Sequence, residues 1–462
     1  MRRLWLSLLL LILALFIRGA RASGAQTASS TAQAAGSAKS GENPLVELLK
    51  SKDAGVRARA ARDLGKQRDT SAIPALAAAV TDSSQKVRRD VVVALAEMHD
   101  AAAFDALVTA TKDREEDVSV LAVRSLVGYY TGNVPSTGVT GFVKKSWRRA
   151  ESHFTVDNTR VDPGVVIEPK VVAALDDTMK DPRSGHAAPE AAKGLGILVA
   201  RQAVPDLVSA AHSSNADLSL EALNALTKIK ERSAGPQLVD LLDSPNKDVK
   251  RNASVTVGVL RAEQALPKLQ AIYESDPDQK DKENALEGLA YLGEKSSVPT
   301  FTKALWSDDK NLRTSAAEGL ARAADPGSLP ELEKAVAIEK DANVKLAVEF
   351  AITAQGKMDY LSALVNDLGT RGRADVAQSY LIELARNSQF LPRLYPYLQS
   401  QDASVRKRLC SVLMYSGDQT SLEVLDRLSH DSNNDVVAEA LRARQAIRAR
   451  LAAPTSGGGT SR

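Results

Sequence analysis

The chain is almost without cysteine: Cys410 is the only one among its 462 residues. No intramolecular disulfide and no cysteine-rich metal site can therefore form. Cys410 sits at a packing position of its segment, where a small apolar side chain is expected. Aromatic residues are also scarce, at 4%. Alanine and leucine abound instead, and small apolar residues suit closely packed helix pairs better than a pocketed core. Long alternation of β-branched and polar residues is missing, which makes the fold class all-α. The five histidines are His99, His153, His186, His212 and His430, and none stands in HExxH or HxH spacing or beside a cysteine. GxSxG, P-loop and GxGxxG motifs are missing too. The acidic pairs Asp176–Asp177 and Asp308–Asp309 fall in predicted turns, where aspartate is favoured by local hydrogen bonding. These gaps leave no candidate catalytic residue, no metal-ligand set and no cofactor to expect.

A basic excess is lacking as well. The formal charge is +3, but Arg2, Arg3, Arg18 and Arg21 all lie in the stretch 1–22, which holds no acid. Without that stretch 56 bases face 57 acids, a net charge of −1. No global field favours non-specific nucleic-acid binding. Residues 1–22 read as a signal peptide: a charged start, an apolar run from Leu4 to Ile17, and small residues at Ala20 and Ala22. That run is short for a membrane span, which needs roughly 20 residues. An exported protein is expected, periplasmic or extracellular, with an uncleaved N-terminal anchor as the other reading. Residues 23–42 are small and polar and read as a flexible tether.

What is present is a period. Pro205, Pro236, Pro267, Pro299 and Pro330 recur at a near-constant interval of just over thirty. Each opens a leucine-rich segment, as in VPDLVSAA (204–211) and LPELEKAV (329–336). A fixed period of this length marks stacked helix pairs that cannot bury their apolar faces singly. Within the unit, helix A starts at the proline and a polar loop leads to helix B. Three columns of helix B align: Val56, Val87, Val249 and Leu312 open it; Ala60, Val91, Ala253 and Ala316 follow four later; Leu64, Leu95, Val257 and Leu320 follow eight later. That spacing holds them on one face, as core. Asp281 takes the opening place in the seventh unit, which predicts a late helix start there. Arg442, Arg444, Arg448 and Arg450 predict a polar capping helix at the end of the array.

Residues 43–66, with their proline-led leucine helix, acidic turn, Val-Arg step and alanine-rich helix ending in Leu-Gly, resemble HEAT repeats. They are most similar to the short class found in phycobilisome-lyase-like HEAT proteins. The resemblance covers about 43–451 apart from one insertion, and it implies a right-handed α-solenoid of about twelve HEAT-like helix pairs. It also implies a binding scaffold, with a lyase-like enzyme or enzyme subunit as the alternative. Iron-binding HEAT enzymes use repeated His-Glu pairs, and this chain has no His-Glu dipeptide. The domain plan is repeats 1–3 over 43–132, an insertion over 133–168, repeats 4–12 over 169–451 and a disordered tail over 452–462. Stacked straight, twelve layers would span roughly 100 Å.

Two sets of residues stand out. Arg57, Arg88, Lys250, Arg313, Lys345 and Arg406 each follow an opening apolar residue, with acids such as Asp53, Asp82, Asp308, Asp341 and Asp402 in the preceding loops. They read as an inter-repeat ladder that fixes stacking. The insertion carries Lys144, Lys145, Trp147, Arg148 and Arg149, an aromatic anchor in a basic patch suited to a protein partner. The same patch suits anionic headgroups, which makes a membrane-surface adaptor the further alternative. Late aromatics, Tyr360, Tyr380, Phe390, Tyr395, Tyr397 and Tyr415, gather in two repeats as core or as a groove.

Overall fold

The computed structural model describes residues 43–132 and 159–452. They are helical throughout, with no strand among the described residues. Twelve helix pairs follow in order among them. Repeat 1 pairs Pro44–Leu48 with Ala54–Gln67, repeat 8 pairs Val298–Ala304 with Lys310–Ala323, and repeat 12 ends on Asn434–Ala452. No described helix is long and apolar enough to cross a membrane. The described residues form two compact units. Residues 43–129 make the first; 130–132 and 159–452 make the second.

One local grammar recurs through most of the array, though helix A of repeats 3 and 10 opens without a proline. A short 3₁₀ turn leads into helix A, and the proline occupies one of its first two positions, as Pro205, Pro267, Pro299 and Pro330 do. Its missing N–H costs nothing there. Repeat 6 differs: Pro236 lies inside a continuous 3₁₀ stretch, Arg232–Asp243. Helix B is then started by a side-chain cap. Asp53, Asn215, Asn246, Asp309 and Asp341 each accept hydrogen bonds from the N–H groups of the second and third residues of their helix. It ends on a left-handed residue: Arg68, Lys230, Arg261 and Ala324 have φ of 51°, 59°, 56° and 49°, and Gly293 has 65°.

Between these ends lies the core. Ala60, Val91, Ala253, Ala316, Leu64, Leu95, Val257 and Leu320 are all buried, and so is Cys410. Small residues let backbones touch. A Cβ on Gly258 would stand 2.3 Å from the Gly288 carbonyl oxygen of the next repeat.

Three expectations are corrected. The seventh helix B starts in register: Asp278 caps Gln279–Leu292 and Asp281 lies inside it. Asp281 is only 2% exposed, and burial is tolerated because Arg251 Nε donates to it at 2.6 Å with Lys250 also paired to it. Asp176 and Asp177 lie in the helix Pro169–Lys180, not in a turn. The second unit is also not a straight stack. The Val161 N–H donates to the Ile197 carbonyl of repeat 4 at 3.0 Å, while Asp162 pairs with Arg442 of repeat 12 at 2.7 Å. Straight stacking would set those repeats ~70 Å apart. Two consecutive residues bridge them, so the nine repeats curl until first and last nearly meet.

Candidate functional site on the inner face of the second unit

Two sets of charged side chains hold the repeats, and they differ in reach. The first is the loop ladder. Arg57 donates through Nε and Nη2 to Asp82 at 2.7 and 2.8 Å, and Arg88 to Asp113 at 2.6 and 2.9 Å, within the first unit. In the second unit Lys250 meets Asp276, Arg313 meets Glu339 and Arg406 meets Asp431, all between 2.8 and 3.1 Å. Each arginine also donates to the carbonyl six residues before it in its own loop, as Arg406 does to Ser400 at 2.7 Å. One guanidinium thus clamps two successive loops. The Arg406 contact holds the Asp431 carboxyl below its usual range.

The acids fall into two kinds. Asp53, Asp341 and Asp402 cap their own helices. The rung acceptors Asp276, Glu339 and Asp431 stand two residues before the cap and also accept from the capping residue's N–H. Asp308 gives only its carbonyl to Arg313. Where the rung base is missing, the acid is missing too: Ser219 is followed by Ser244, and Ala377 by Ser400. Lys282, followed by Ser307, departs from this pairing. Lys345 makes no rung among the described residues, and Asp367 in the next loop is held by Arg373 at 2.7 Å instead.

The second set spans two repeats. Arg322 of repeat 8 donates to both oxygens of Glu383 in repeat 10, at 2.9 and 3.1 Å, and to Glu318 at 3.2 Å. Its guanidinium stands 4.4 Å from the Tyr291 ring centroid. The Tyr380 hydroxyl donates to Glu318 at 2.5 Å, and Tyr380 stacks on Phe350 with centroids 4.3 Å apart. Burial, with Glu318 close by, pushes the neighbouring Glu287 up to about 8. Partners 61 and 62 residues apart in sequence meet here because the array is tightly wound.

Around this knot stand Lys230, Arg261, Arg386 and Arg160. Lys230, Arg261 and Arg386 are exposed to solvent. Arg261 reaches the Leu292 carbonyl at 2.5 Å. Arg160 donates to the Lys228 carbonyl at 3.1 Å and lies 5.7 Å from the Tyr415 ring centroid. The Lys230 and Arg386 side chains make no hydrogen bond or ion pair among the described residues. Surrounding protein, then Arg160 and Arg386, lowers Lys230 to about 8. Exposed Lys230, Arg261 and Arg386 thus stand around an ion pair, buried Arg322 on Glu383, and the Tyr291 ring.

The end of the insertion crosses this face. Asp162 takes a bidentate pair from Arg442, Nε to Oδ2 at 3.0 Å and Nη2 to Oδ1 at 2.8 Å, and a Cβ on Gly164 would stand 2.3 Å from that of Ala449. Arg442 and its companions are thus more than a solvated cap: Arg444 pairs with Asp426 at 2.7 Å, and Arg450 donates to the Met414 carbonyl at 2.8 Å.

Lys144, Lys145, Trp147, Arg148 and Arg149 lie outside the described residues. Of the late aromatics, Tyr380 and Tyr415 join the inner face, while Phe390 is buried. Glu287, Tyr291, Glu318, Arg322 and Glu383 were not singled out by the sequence. A signal was there: Glu287/Tyr291 and Glu318/Arg322 stand at the same i, i+4 spacing and the same register in successive repeats. Among the described residues no group of three or more His, Cys, Asp or Glu side chains is placed to hold a metal ion.

The family model for HEAT repeats matches residues 42–127, 180–257 and 266–353, more than half of the chain. The chain belongs to the HEAT-repeat family. No curated protein matches it. Among solved structures it is similar to an engineered protein, at 18% identity, TM-score 0.39, over 87% of this chain and 98% of that one. It is also similar to Kap121p, at 12% identity, TM-score 0.38, over 87% of this chain. It spans 48% of Kap121p's length.

Proposed function

We propose that this protein is an exported, non-catalytic scaffold that holds a protein partner along the inner face of repeats 5–11. One observation carries the reading. The curled second unit brings aromatic and charged side chains from non-neighbouring repeats, Tyr291, Arg322, Glu383 and Tyr415, together beside the exposed Lys230, Arg261 and Arg386. Curled repeat arrays present extended concave surfaces of this kind to their partners. Glu318, Arg322 and Glu383 of this face are paired with one another, and the buried Tyr380 hydroxyl donates to Glu318. The stretch 1–22 supplies the export signal, and Lys144, Lys145, Trp147, Arg148 and Arg149 supply a second contact on the same partner.

The test is photo-cross-linking in cells from position 291 on the inner face, position 147 in the insertion and position 303 as an exposed control. A discrete partner captured from 291 and 147, and not from 303, is expected. Capture from 303 alone, or equal capture from all three, contradicts the reading. A deletion meant to test the insertion has to stop before Arg160, because Arg160 and Asp162 are part of the second unit's closure.

A further inference from the structure

The inner rim has more positive charge than the fold uses. Glu383 and Glu318 are committed to Arg322 and Tyr380. The side chains of Lys230 and Arg386 make no hydrogen bond or ion pair among the described residues; Arg160 and Arg386 repel Lys230, and Glu383 attracts it more weakly. This excess is local, since the chain beyond position 22 carries a net charge of −1.

Lys230 and Arg261 occupy the left-handed position that ends helix B, at φ of 59° and 56°. That position favours glycine, which repeat 7 uses at Gly293. Arg68, His99, Val199 and Ala324 occupy the same position in other repeats; among the described residues neither Lys230 nor Arg261 makes a carboxylate pair from it.

The inner face already shows which anion it accommodates. It holds two carboxylates of its own through two-pronged arginine contacts, Glu383 on Arg322 and Asp162 on Arg442. We propose that Lys230 and Arg386, flanked by Arg261, form a docking site for side-chain carboxylates of an acidic segment in a protein partner. The assignment rests on the scaffold reading and names the chemistry of its partner. Arriving carboxylates pair with the two free cations and neutralise the repulsion between them. Binding draws Lys230 fully into its protonated form, so complex formation near pH 8 takes up protons.

The experiment is calorimetry on the full chain with a hexaglutamate peptide, at pH 8 in two buffers of different ionisation enthalpy, and separately with inorganic phosphate. Expected are peptide binding with proton uptake, a loss of about tenfold or more in affinity for Lys230→Gly and for Arg386→Gln, and no change for Lys303→Gln. Lys230→Gly melts no lower than the parent chain, which separates lost binding from lost fold. The proposal is overturned if hexaglutamate does not bind, if Lys303→Gln weakens binding as much, or if phosphate binds as tightly as the peptide. Inner-face cross-links that persist without hexaglutamate binding overturn this assignment alone, whereas their loss from position 291 counts against the scaffold reading itself.

Discussion

The ladder and the inner knot are made of the same parts, arginines gripping carboxylates, yet they do opposite things. Rungs such as Arg406–Asp431 join loops 25 residues apart and repeat wherever both partners are present. The knot joins Arg322 to Glu383 across 61 residues and occurs once among the described residues. A rung uses up its charges: guanidinium, carboxylate, capping N–H and loop carbonyl are all satisfied. The knot satisfies its own floor and leaves cations around it. Regular charge pairing in this array is therefore architecture, and irregular pairing marks the surface left for something else.

Breaking the knot should have the largest effect. Arg322→Ala leaves the buried Glu318 carboxylate, whose side chain is 6% exposed, without the cation it is paired to. It should destabilise the second unit by about 3–5 kcal/mol, the cost of stranding a buried charge, read as a fall in its denaturation midpoint. Gly258→Ala sharpens the contrast by attacking packing without touching charge. Its Cβ would meet the Gly288 backbone, and a loss of about 1–3 kcal/mol is expected by the same measurement.

Breaking a rung should cost less. Arg406→Ala should lose about 1.5–3 kcal/mol, the range for a charge-assisted hydrogen bond. It should also change the acid side of the stability profile. The Asp431 carboxyl is held low by Arg406, so its contribution is present above its unfolded value of about 3.9 and is lost as pH falls through the lower folded value. Melting between pH 6 and pH 2 should drop less steeply in Arg406→Ala than in the parent. The knot has the opposite sign. Glu287 is raised to about 8, so its contribution is fully present below its unfolded value and lost as pH rises toward the folded one. Glu287→Gln should flatten the decline in melting temperature between pH 5 and pH 8. Smallest of all, Lys230→Gly should stabilise by about 0.5–1 kcal/mol by relieving the left-handed residue.

The all-α class, the repeat register and the core columns were legible because each obeys a local rule: proline at the start of helix A, a capping Asp or Asn, apolar residues four and eight apart. Of the six bases in the rung column, Arg57, Arg88, Lys250, Arg313 and Arg406 meet an acid of the next loop and Lys345 does not. Their partners were misassigned in part, because the loop acids do two jobs two positions apart, capping at Asp341 and accepting a rung at Glu339. The curl and the knot depend on rotations accumulated over several repeats, which no single period encodes. Asp281 looked like a break in the pattern because its counter-ions, Lys250 and Arg251, lie a whole repeat earlier.

The most direct test of the division between holding and docking is the titration of the Lys230 ammonium in the folded chain, followed by NMR of the isotopically labelled amine. The account predicts a midpoint of about 8 in the unliganded protein, rising when hexaglutamate is added. A midpoint at the ordinary lysine value of about 10.4, unmoved by the peptide, would contradict it.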